Sequence, residues 1–519
     1  MTTVYDRFAR TAERVPDEPL VWFEGETTTY AEAEAAVERR AALLDDVGVG
    51  PGDRVGVLLP NDPEFVYLLL ATARVGATFV PLDHRQEGDV LAYLLDDADV
   101  SALVVDGAVH DSFRDVRAEA STGTVLLHDG PADAAGRDYD DAVTAAPDAA
   151  PPPADVGPTD VAILSYTSGT TGPPKGVRNP HRSYVDAGER LAAACDTDET
   201  DRGLLVLPLF HANPTTYGLM QMLAVGGSVA PVREFSASGF FETARESGST
   251  FFTHVGSVLH ILQETIADGD VDTESPLRFA VGGAAQFDRR EAFEAATGTR
   301  LVRLYGLSEV GAGLVTTCRY PPESDGDDQG AVAGQPFDVR ILDADAGEFV
   351  GEGERGEIVV RPERPGLMFR GYRGKPEATV ETWQDCWVHT GDLGEVVDGR
   401  LRYLGRLGSH IRRMGENVSP WEVESALADW DRVSTAVAVG VPDETAGEEI
   451  GLRVVPADDA APPTPAAVYE RCRERLPERL RPRYVAVVDE VPRGSTHKVK
   501  RERIDREALR EAWDARKEP

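Results

Sequence analysis

The sequence predicts an α/β protein with a large N-terminal domain of parallel-rich sheets and a small C-terminal α+β domain. Short β-branched runs, VGVLLP at 55–60 and ATFVPL at 77–82, alternate with longer stretches of helical period such as 63–74. This alternation is typical of parallel sheets covered by helices. Towards the C-terminus, AVAVGVP and IGLRVVP read as strands with Arg- and Glu-rich helices between them. We therefore predict domains at 1–404 and 405–519.

The segment from Pro131 to Asp160 differs in composition from its surroundings. It is rich in Pro, Ala and Asp, as in AAPDAAPPPADVGPTD. Such composition predicts a solvated connector rather than a packed element.

The charge balance limits the partners of this protein. The 519 residues carry 90 Asp and Glu against 53 Lys and Arg, a formal net charge of −37. Such a charge repels nucleic acids and anionic membranes. The apolar content of 41% argues against disorder. We therefore predict a folded, halophilic enzyme, because salt near molar concentration screens self-repulsion to about 3 Å and a carboxylate-rich surface favours solubility.

Cysteines and apolar segments bear on the compartment. The four cysteines lie far apart with no CxxC spacing, so neither a disulfide framework nor a zinc site is predicted. The N-terminus has charges where a signal peptide needs an apolar core, and the most apolar stretch, Phe65 to Leu82, contains Arg74, Gly76 and Pro81. We expect a cytoplasmic protein without a membrane span.

A loop rich in glycine and hydroxyl residues follows the apolar run at 161–164. It reads SYTSGTTGPPKGV, residues 165–177. Backbone N–H groups and hydroxyls of such a loop can surround a polyphosphate, and a lysine adds a point charge. The spacing differs from that of the common P-loop, which requires G-x-x-x-x-G-K-[ST]. The candidate phosphate ligands are Thr167, Ser168, Gly169, Thr170, Thr171, Gly172 and Lys175.

Two more loops end predicted strands in the same way. LRFAVGGAAQ (277–286) ends in small residues that let a flat ring approach the backbone, and RLVRLYGLSEVG (300–311) ends in polar ones. Open α/β sheets bind ligands at the carboxyl ends of their strands. There Tyr305 offers a face to a base, Ser308 a hydroxyl to a phosphate, and Glu309 an oxygen ligand to Mg²⁺. Singly, each fits equally a core tyrosine, a helix cap or a solvated acid.

Three later residues complete the set of candidates. Asp392 lies among glycines in TGDLG, where a carboxylate can accept both hydroxyls of a ribose. Arg406 precedes Leu407-Gly408-Ser409, a junction with little side-chain bulk and hence a candidate hinge. The polar segment PRGSTHK (492–498) contains Lys498, one of only five lysines in the chain.

Taken together and in this order, these motifs resemble the adenylate-forming superfamily. That superfamily contains acyl-CoA synthetases, adenylation domains of nonribosomal peptide synthetases, and luciferases. Within it, PLFHANPTT and IRRMGENVS look most similar to the crotonobetaine/carnitine-CoA ligase group and related acyl-CoA ligases. The motifs are SYTSGTTGPPKGV, PLFH (208–211), GGAAQ, YGLSE, TGD (390–392), GR (405–406), GENVSPWEVE and PRGSTHK.

The resemblance implies an enzyme that uses ATP, Mg²⁺ and coenzyme A in two steps. A carboxylate attacks the α-phosphate of ATP and gives acyl-AMP and pyrophosphate, after which the coenzyme A thiol displaces AMP. Because that thiol is the nucleophile, no protein cysteine or serine nucleophile is needed. Chains of this family are often dimers, so the resemblance also implies a homodimer by analogy.

Residue roles follow from the resemblance. Loop 167–175 would hold the β- and γ-phosphates, Ser308 the α-phosphate and Glu309 the Mg²⁺. Lys498 would bridge the attacking carboxylate and the α-phosphate. His211 would lie at the mouth of the acyl pocket. Gly283, Ala284 and Tyr305 would frame the adenine, and Asp392 would hold the ribose with Arg406 nearby. Gly306 would be a further nucleotide ligand.

The resemblance also implies that the small C-terminal domain is mobile. It would swing about a hinge at Gly408 between the two steps, removing the Lys498 loop from the site. Three positions depart from the family pattern: glycine at the hinge, which is usually acidic or lysine, His497 in place of the usual glycine before the catalytic lysine, and Gly494 in place of a usual threonine. Lys500 is the competing candidate for the catalytic lysine, and the spacing from Pro492 favours Lys498.

The acid and the acceptor stay open. A carnitine-like acid would require an aromatic face or a carboxylate for its quaternary ammonium, for which Tyr217, Phe251, Phe252 and Glu309 are candidates, whereas small pocket residues would suit a short or medium fatty acid. Three alternatives to an acyl-CoA synthetase stay open. The chain could load a phosphopantetheine arm on a carrier protein, bind nucleotide without catalysis, or carry out a luciferase-like oxidation. The residues expected to line the acyl pocket are His211, Asn213, Thr215, His254, Val255, Gly256, Gly282, Gly306 and Leu307.

Overall fold

A computed structural model gives the structure of most of the chain. It describes residues 2–117, 122–130, 136–167, 174–269, 271–283, 290–313, 315–318, 328–343, 346–407, 411–413, 416–418, 420–443, 446–457, 461–476, 478–493 and 499–517.

The strands of these residues follow one another along the chain as β1 Pro19–Phe23, β2 Glu26–Thr29, β3 Arg54–Leu58, β4 Thr78–Pro81, β5 Val100–Asp106, β6 Thr122–His128, β7 Arg137–Asp138, β8 Val161–Thr167, β9 Lys175–Pro180, β10 Arg202–Leu205, β11 Ser228–Pro231, β12 Phe251–Val255, β13 Phe279–Gly283, β14 Arg300–Tyr305, β15 Thr316–Cys318, β16 Asp328–Ala331, β17 Phe337–Asp343, β18 Glu348–Phe349, β19 Gly356–Pro362, β20 Trp383–Gln384, β21 Trp387–Val397, β22 Arg400–Arg406, β23 Ile411–Arg413, β24 Glu416–Val418, β25 Val433–Asp443, β26 Gly447–Pro456, β27 Tyr484–Val487 and β28 Trp513–Asp514.

The α-helices are α1 Val4–Arg14, α2 Tyr30–Asp46, α3 Pro63–Arg74, α4 Gly88–Ala98, α5 His110–Val116, α6 Tyr139–Ala145, α7 His181–Cys195, α8 Gln221–Val225, α9 Phe240–Ser247, α10 Gly256–Ala267, α11 Arg290–Thr297, α12 Pro376–Thr382, α13 Pro420–Glu424, α14 Pro465–Arg475 and α15 Arg506–Arg510. A π-helical turn, Pro214–Met220, precedes α8.

Within these residues the strands form four sheets. The first has the order β15-β14-β13-β12-β10-β11-β1-β2 and the second β7-β6-β5-β3-β4-β8-β9. Their central strands are parallel. A third, antiparallel sheet runs β16-β22-β21-β19-β17-β18, with β20 on β21, and a fourth, mixed sheet runs β24-β23-β26-β27-β28, with β25 on β26. The predicted fold class, a large parallel-rich α/β part followed by a smaller mixed one, is confirmed.

The two parallel sheets share a hydrophobic core. Val57 of the second sheet and Phe251 of the first belong to one buried cluster, together with side chains of α1, α2, α3 and α7. Alternation along a parallel strand sends the other side chains to the opposite face. Phe252, for example, packs in a second cluster with Phe240 and Phe293 of flanking helices.

The predicted secondary structure agrees closely with the structure at α3. The helix predicted at 63–74 is Pro63–Arg74, begun by Asp62, whose side chain accepts the N–H of Glu64. An N-cap carboxylate followed by proline at the first helical position is a strong start signal. The fourth sheet begins at Ile411, after the third ends at Arg406. The division at 404/405 stays a prediction.

The segment predicted as a solvated connector contains packed structure. α6 lies within it, and Tyr139 at its start is fully buried. The Tyr139 hydroxyl donates to Glu64, which also pairs with Arg40 at 2.6 Å. Residues 147–160, after this helix, are exposed or half-buried as predicted, whereas the helix itself was not predicted. As for the membrane, none of the helices in the described ranges has the length and apolar character needed to cross a bilayer.

Candidate active site

Two of the predicted loops leave neighbouring strands. β13 ends at Gly283 and β14 at Tyr305, and the strands pair in parallel with Gly282 opposite Arg303. Because parallel strands carry their carboxyl ends to one edge, both loops start from the same edge of the first sheet. Glycine is required at 282, since a Cβ there would lie 2.0 Å from the carbonyl oxygen of His254.

Tyr305 and Asp392 are joined across 87 residues of sequence. The Tyr305 hydroxyl donates to Oδ2 of Asp392 at 2.7 Å, and both side chains are buried. Burial, and the negative charge of Asp392, raise the pKa of Tyr305 well above its usual value. The tyrosine therefore stays a neutral donor. The bond also joins the first sheet to the third, where Asp392 pairs in register with Arg406.

The backbone around Asp392 is fixed by neighbouring polar groups. The Asp392 N–H donates to Oγ1 of Thr390 at 3.1 Å, and the Gly391 N–H donates to Oε1 of Glu357 at 2.9 Å. Thr390 in turn donates to the Ile358 carbonyl at 2.6 Å. These contacts hold the backbone of Asp392 at one position.

Glu309 and Lys175 meet at a tyrosine that the sequence analysis missed. The Tyr372 hydroxyl donates to Oε1 of Glu309 at 2.8 Å. The ammonium of Lys175 lies 4.9 Å from the centre of the same ring, a cation–π distance. A carboxylate and a cation from loops 134 positions apart in sequence thus face one aromatic side chain.

The position of Tyr372 depends on its own segment. Its N–H donates to Oγ1 of Thr379 at 2.9 Å, and it forms an isolated antiparallel bridge with Val177. The Phe369 N–H donates to the Glu309 carbonyl at 3.0 Å. The run GLMFRGYRG, with its glycines and aromatic residues before a helix, was the available signal for this segment.

The strands on either side of the predicted phosphate loop pair with each other. β8 and β9 are antiparallel, and Thr167 pairs with Lys175 at the end of the ladder. The Tyr93 hydroxyl donates to the Pro174 carbonyl at 2.9 Å, and this bond fixes the start of β9. Lys175 is therefore the first residue of β9 and pairs with the last residue of β8.

His211 is exposed, whereas Leu209 and Pro214 on either side of it are buried. Its ring packs beside Phe210 with centroids 4.3 Å apart. Asn61, which is buried, donates to the carbonyls of Leu207 and Val232 at 3.0 and 2.8 Å and accepts the Leu209 N–H at 2.7 Å. Asn61 is a positioning residue that the sequence analysis did not single out.

Two residues expected to line the acyl pocket have structural contacts. Nδ2 of Asn213 donates to the His254 carbonyl at 3.0 Å. The His254 side chain is 2% exposed and lies on the same face of β12 as Phe252, the face of the outer core. Burial and the positive charge of Arg303 lower the pKa of His254 to about 3. His254 is thus a neutral imidazole on the face of the first sheet that packs against the outer core.

Gly306 and Ser308 are half-buried in the loop that carries Glu309, beside Tyr305. Several predicted residues lie outside the described residues: Ser168, Gly169, Thr170, Thr171, Gly172, Ala284, Gly408 and Lys498.

Comparisons with known proteins identify the family of this chain. The AMP-binding enzyme family matches residues 8–373, and the AMP-binding enzyme C-terminal domain matches residues 422–498. Oxalate–CoA ligase of Arabidopsis thaliana is 29% identical over 94% of this chain and 95% of its own. Long-chain-fatty-acid–CoA ligase FadD13 of Mycobacterium tuberculosis is 31% identical over 91% of both chains. ATP-bound MatB of Rhodopseudomonas palustris has a TM-score of 0.83 at 25% identity over 98% of this chain and 99% of its own.

The chain therefore belongs to the AMP-binding enzyme family. Within that family it is an ATP-dependent acyl-CoA synthetase, an AMP-forming acid–CoA ligase.

Proposed function

We propose that this enzyme activates its acid as acyl-AMP with the residues named above and then transfers the acyl group to free coenzyme A. In the first step a carboxylate oxygen attacks the α-phosphorus of ATP and pyrophosphate leaves. In the second step the coenzyme A sulfur attacks the acyl carbon and AMP leaves. The meeting of Lys175 and Glu309 at Tyr372 is the observation that carries the proposal.

The charge arrangement matches the needs of the first step. Lys175 follows the predicted phosphate loop and supplies a positive charge at the phosphates. Asp392 accepts the ribose hydroxyls, and Tyr305 lies against the base. Lys498 brings a second positive charge to the attacking carboxylate and the α-phosphate. Each positive charge faces negative charge that grows or moves in the transition state, which is where fixed charges accelerate a reaction most.

Glu309 fits a role as a Mg²⁺ ligand. A carboxylate oxygen is a ligand that Mg²⁺ favours, and Mg²⁺ sites with nucleotides commonly use one or two carboxylates plus phosphates. Tyr372 holds Oε1 of Glu309 at 2.8 Å and so orients the carboxylate. When bound, the ion would neutralise charge on the phosphates.

The acid is the finer part of the proposal. The motif likeness to crotonobetaine/carnitine-CoA ligases makes a betaine-type acid one hypothesis. Phe251 and Phe252 are both fully buried in hydrophobic clusters, so they do not offer a face to a quaternary ammonium. Glu309 is assigned to Mg²⁺, and Tyr217 is buried with its hydroxyl donating to the Gly313 carbonyl. These contacts favour a short or medium fatty acid over carnitine. The acidic composition supports a salt-rich cytoplasm, and the scattered cysteines support a reducing one. Analogy with the family supports a homodimer.

A substrate panel tests the proposed function. We expect AMP and pyrophosphate to form only with one class of acid, and thioester to form only when coenzyme A is added. The panel contains crotonobetaine, carnitine, short and medium fatty acids, oxalate, sulfoacetate, ferulate and amino acids, in concentrated KCl because of the net charge of −37. Pyrophosphate release without a thioester would contradict free coenzyme A as the acceptor and support a carrier protein.

Glu309→Gln tests the metal role. The amide keeps the size of the side chain and loses its negative charge, so we expect the Mg²⁺ concentration for half-maximal adenylation to rise roughly tenfold, the effect of losing about 1.4 kcal/mol of ion binding. Tyr372→Phe is the matched control, since it removes the 2.8 Å hydrogen bond but keeps the carboxylate. An unchanged Mg²⁺ dependence in Glu309→Gln would remove Glu309 from the metal site.

A further inference from the structure

A cluster of ligating side chains lies at the carboxyl edge of the second sheet, away from the phosphate loop. Asp106 ends β5 and His128 ends β6, and the two pair in register. Asp129 follows directly. One ligand atom from each of the three residues lies within 4.8 Å of the others. In sheet order β5 and β6 stand three and four strands from β8, about 14 to 19 Å at the usual strand spacing.

The chemistry of the cluster is unusual for a surface patch of acids. Asp106 is 5% exposed and His128 is 9% exposed, whereas Asp129 is exposed. Oδ1 of Asp106 accepts the Ala108 N–H at 2.8 Å, which fixes the carboxylate. Buried ionisable groups of this kind are usually paired and hydrogen-bonded, because desolvation is costly otherwise.

His128 does not find such a pairing among the described residues. Its Nδ1 is buried and has no hydrogen-bond partner there. The nearest carboxylate oxygens, of Asp140 and Asp129, lie 3.9 Å from Nδ1 and 3.8 Å from Nε2. Both distances are too long for a hydrogen bond. The ring is held edge-on by Tyr139 at 5.3 Å.

The separation between Nε2 of His128 and Oδ2 of Asp129 fits two ligands of one metal ion. A divalent ion binds imidazole nitrogen and carboxylate oxygen at about 2.0 to 2.2 Å, so two ligands of one ion lie roughly 3 to 4.4 Å apart. The 3.8 Å between Nε2 and Asp129 falls within this range. The carboxylates of Asp106 and Asp129 together balance the charge of a divalent ion. Asp62 and Asp140 also lie near His128 and add negative charge around the site.

Backbone packing keeps the two ligand-bearing loops together. A Cβ on Gly107 would lie 2.3 Å from the Asp129 carbonyl oxygen and 2.9 Å from Cα of Gly130. Only glycine allows this approach of the segment after Asp106 to the segment after His128. The close approach of the two segments therefore keeps Asp106 and Asp129 near each other.

We propose that Asp106, His128 and Asp129 form a structural binding site for a divalent transition-metal ion such as Zn²⁺, Co²⁺ or Mn²⁺. One imidazole with two carboxylates favours these ions over Ca²⁺ and Mg²⁺, whose ligands are predominantly oxygen. Water completes the coordination on the exposed side of Asp129. The ion ties the end of β5 to the end of β6 and is separate from the metal that accompanies ATP.

Cobalt titration of the whole chain tests the site. The protein is treated with EDTA, freed of nucleotide and titrated in KCl near molar concentration, where weak binding to surface acids is screened. We expect one Co²⁺ per chain, followed by visible d–d absorption, with a rise in Tm and displacement by Zn²⁺. His128→Gln and Asp129→Asn should each weaken binding at least tenfold.

His260→Gln is the matched control, because His260 is an exposed histidine on α10; it should bind Co²⁺ as the unmodified chain does. Asp129→Asn alters an exposed side chain and so decides the matter even if His128→Gln does not fold. Absence of saturable binding, or equal affinity in His128→Gln, Asp129→Asn and the control, would overturn the proposal.

Discussion

Lys498→Ala is expected to lower acyl-AMP formation by roughly 10³-fold, the order found when one preorganised charge is removed from a transition state. Thioester formation from supplied acyl-AMP should change little, because the charge is needed only while the carboxylate attacks the α-phosphate. The measurement is pyrophosphate release for the first half-reaction and thioester formation from synthetic acyl-AMP for the second.

Lys500→Ala is the matched control for this experiment. Lys500 lies two positions further along, and its backbone N–H donates to the Pro492 carbonyl at 2.8 Å. We expect Lys500→Ala to keep both half-reactions. If both half-reactions fell together in Lys498→Ala, the assignment to the first step would be wrong. If Lys500→Ala alone lost adenylation, the catalytic lysine would be Lys500.

The sequence predicted those parts of the fold that local pattern determines. Asp62 followed by Pro63 marks the start of α3 because the cap and the fixed φ act within one turn. Tyr139 shows the opposite case. Its helix lies in a segment rich in Pro, Ala and Asp. The Tyr139 side chain is buried nevertheless, and its hydroxyl donates to Glu64 of another helix, which pairs with Arg40. Composition averaged over a segment does not register a single long-range contact.

The candidate site divides in the same way. Motifs single out Asp392 and Tyr305 one by one, but their hydrogen bond joins two sheets and depends on how those sheets meet. Tyr372 has no motif of its own in the sequence analysis, and its role emerges only because Glu309 and Lys175 both reach it. Pairing across sheets is a property of tertiary packing, which single-sequence patterns do not encode.

Asp392→Asn is expected to raise the KM for ATP roughly 100-fold, since hydrogen bonds to a charged acceptor contribute about 1.5 to 3 kcal/mol each and two ribose hydroxyls are involved. The more specific consequence concerns the sugar. The unmodified enzyme should favour ATP over 2′-deoxy-ATP, and Asp392→Asn should lose most of this preference. Steady-state kinetics with both nucleotides measure the two effects in one experiment.

Tyr305→Phe separates recognition of the ribose from simple support of the carboxylate. This substitution removes the 2.7 Å hydrogen bond to Asp392 but keeps the aromatic face. We therefore expect the KM for ATP to rise about fivefold, in line with about 1 kcal/mol for a neutral donor. Its preference for ATP over the deoxy nucleotide should persist, because Asp392 keeps its charge. A preference that survives in Asp392→Asn but disappears in Tyr305→Phe would place the sugar at the tyrosine and leave Asp392 with a purely structural role.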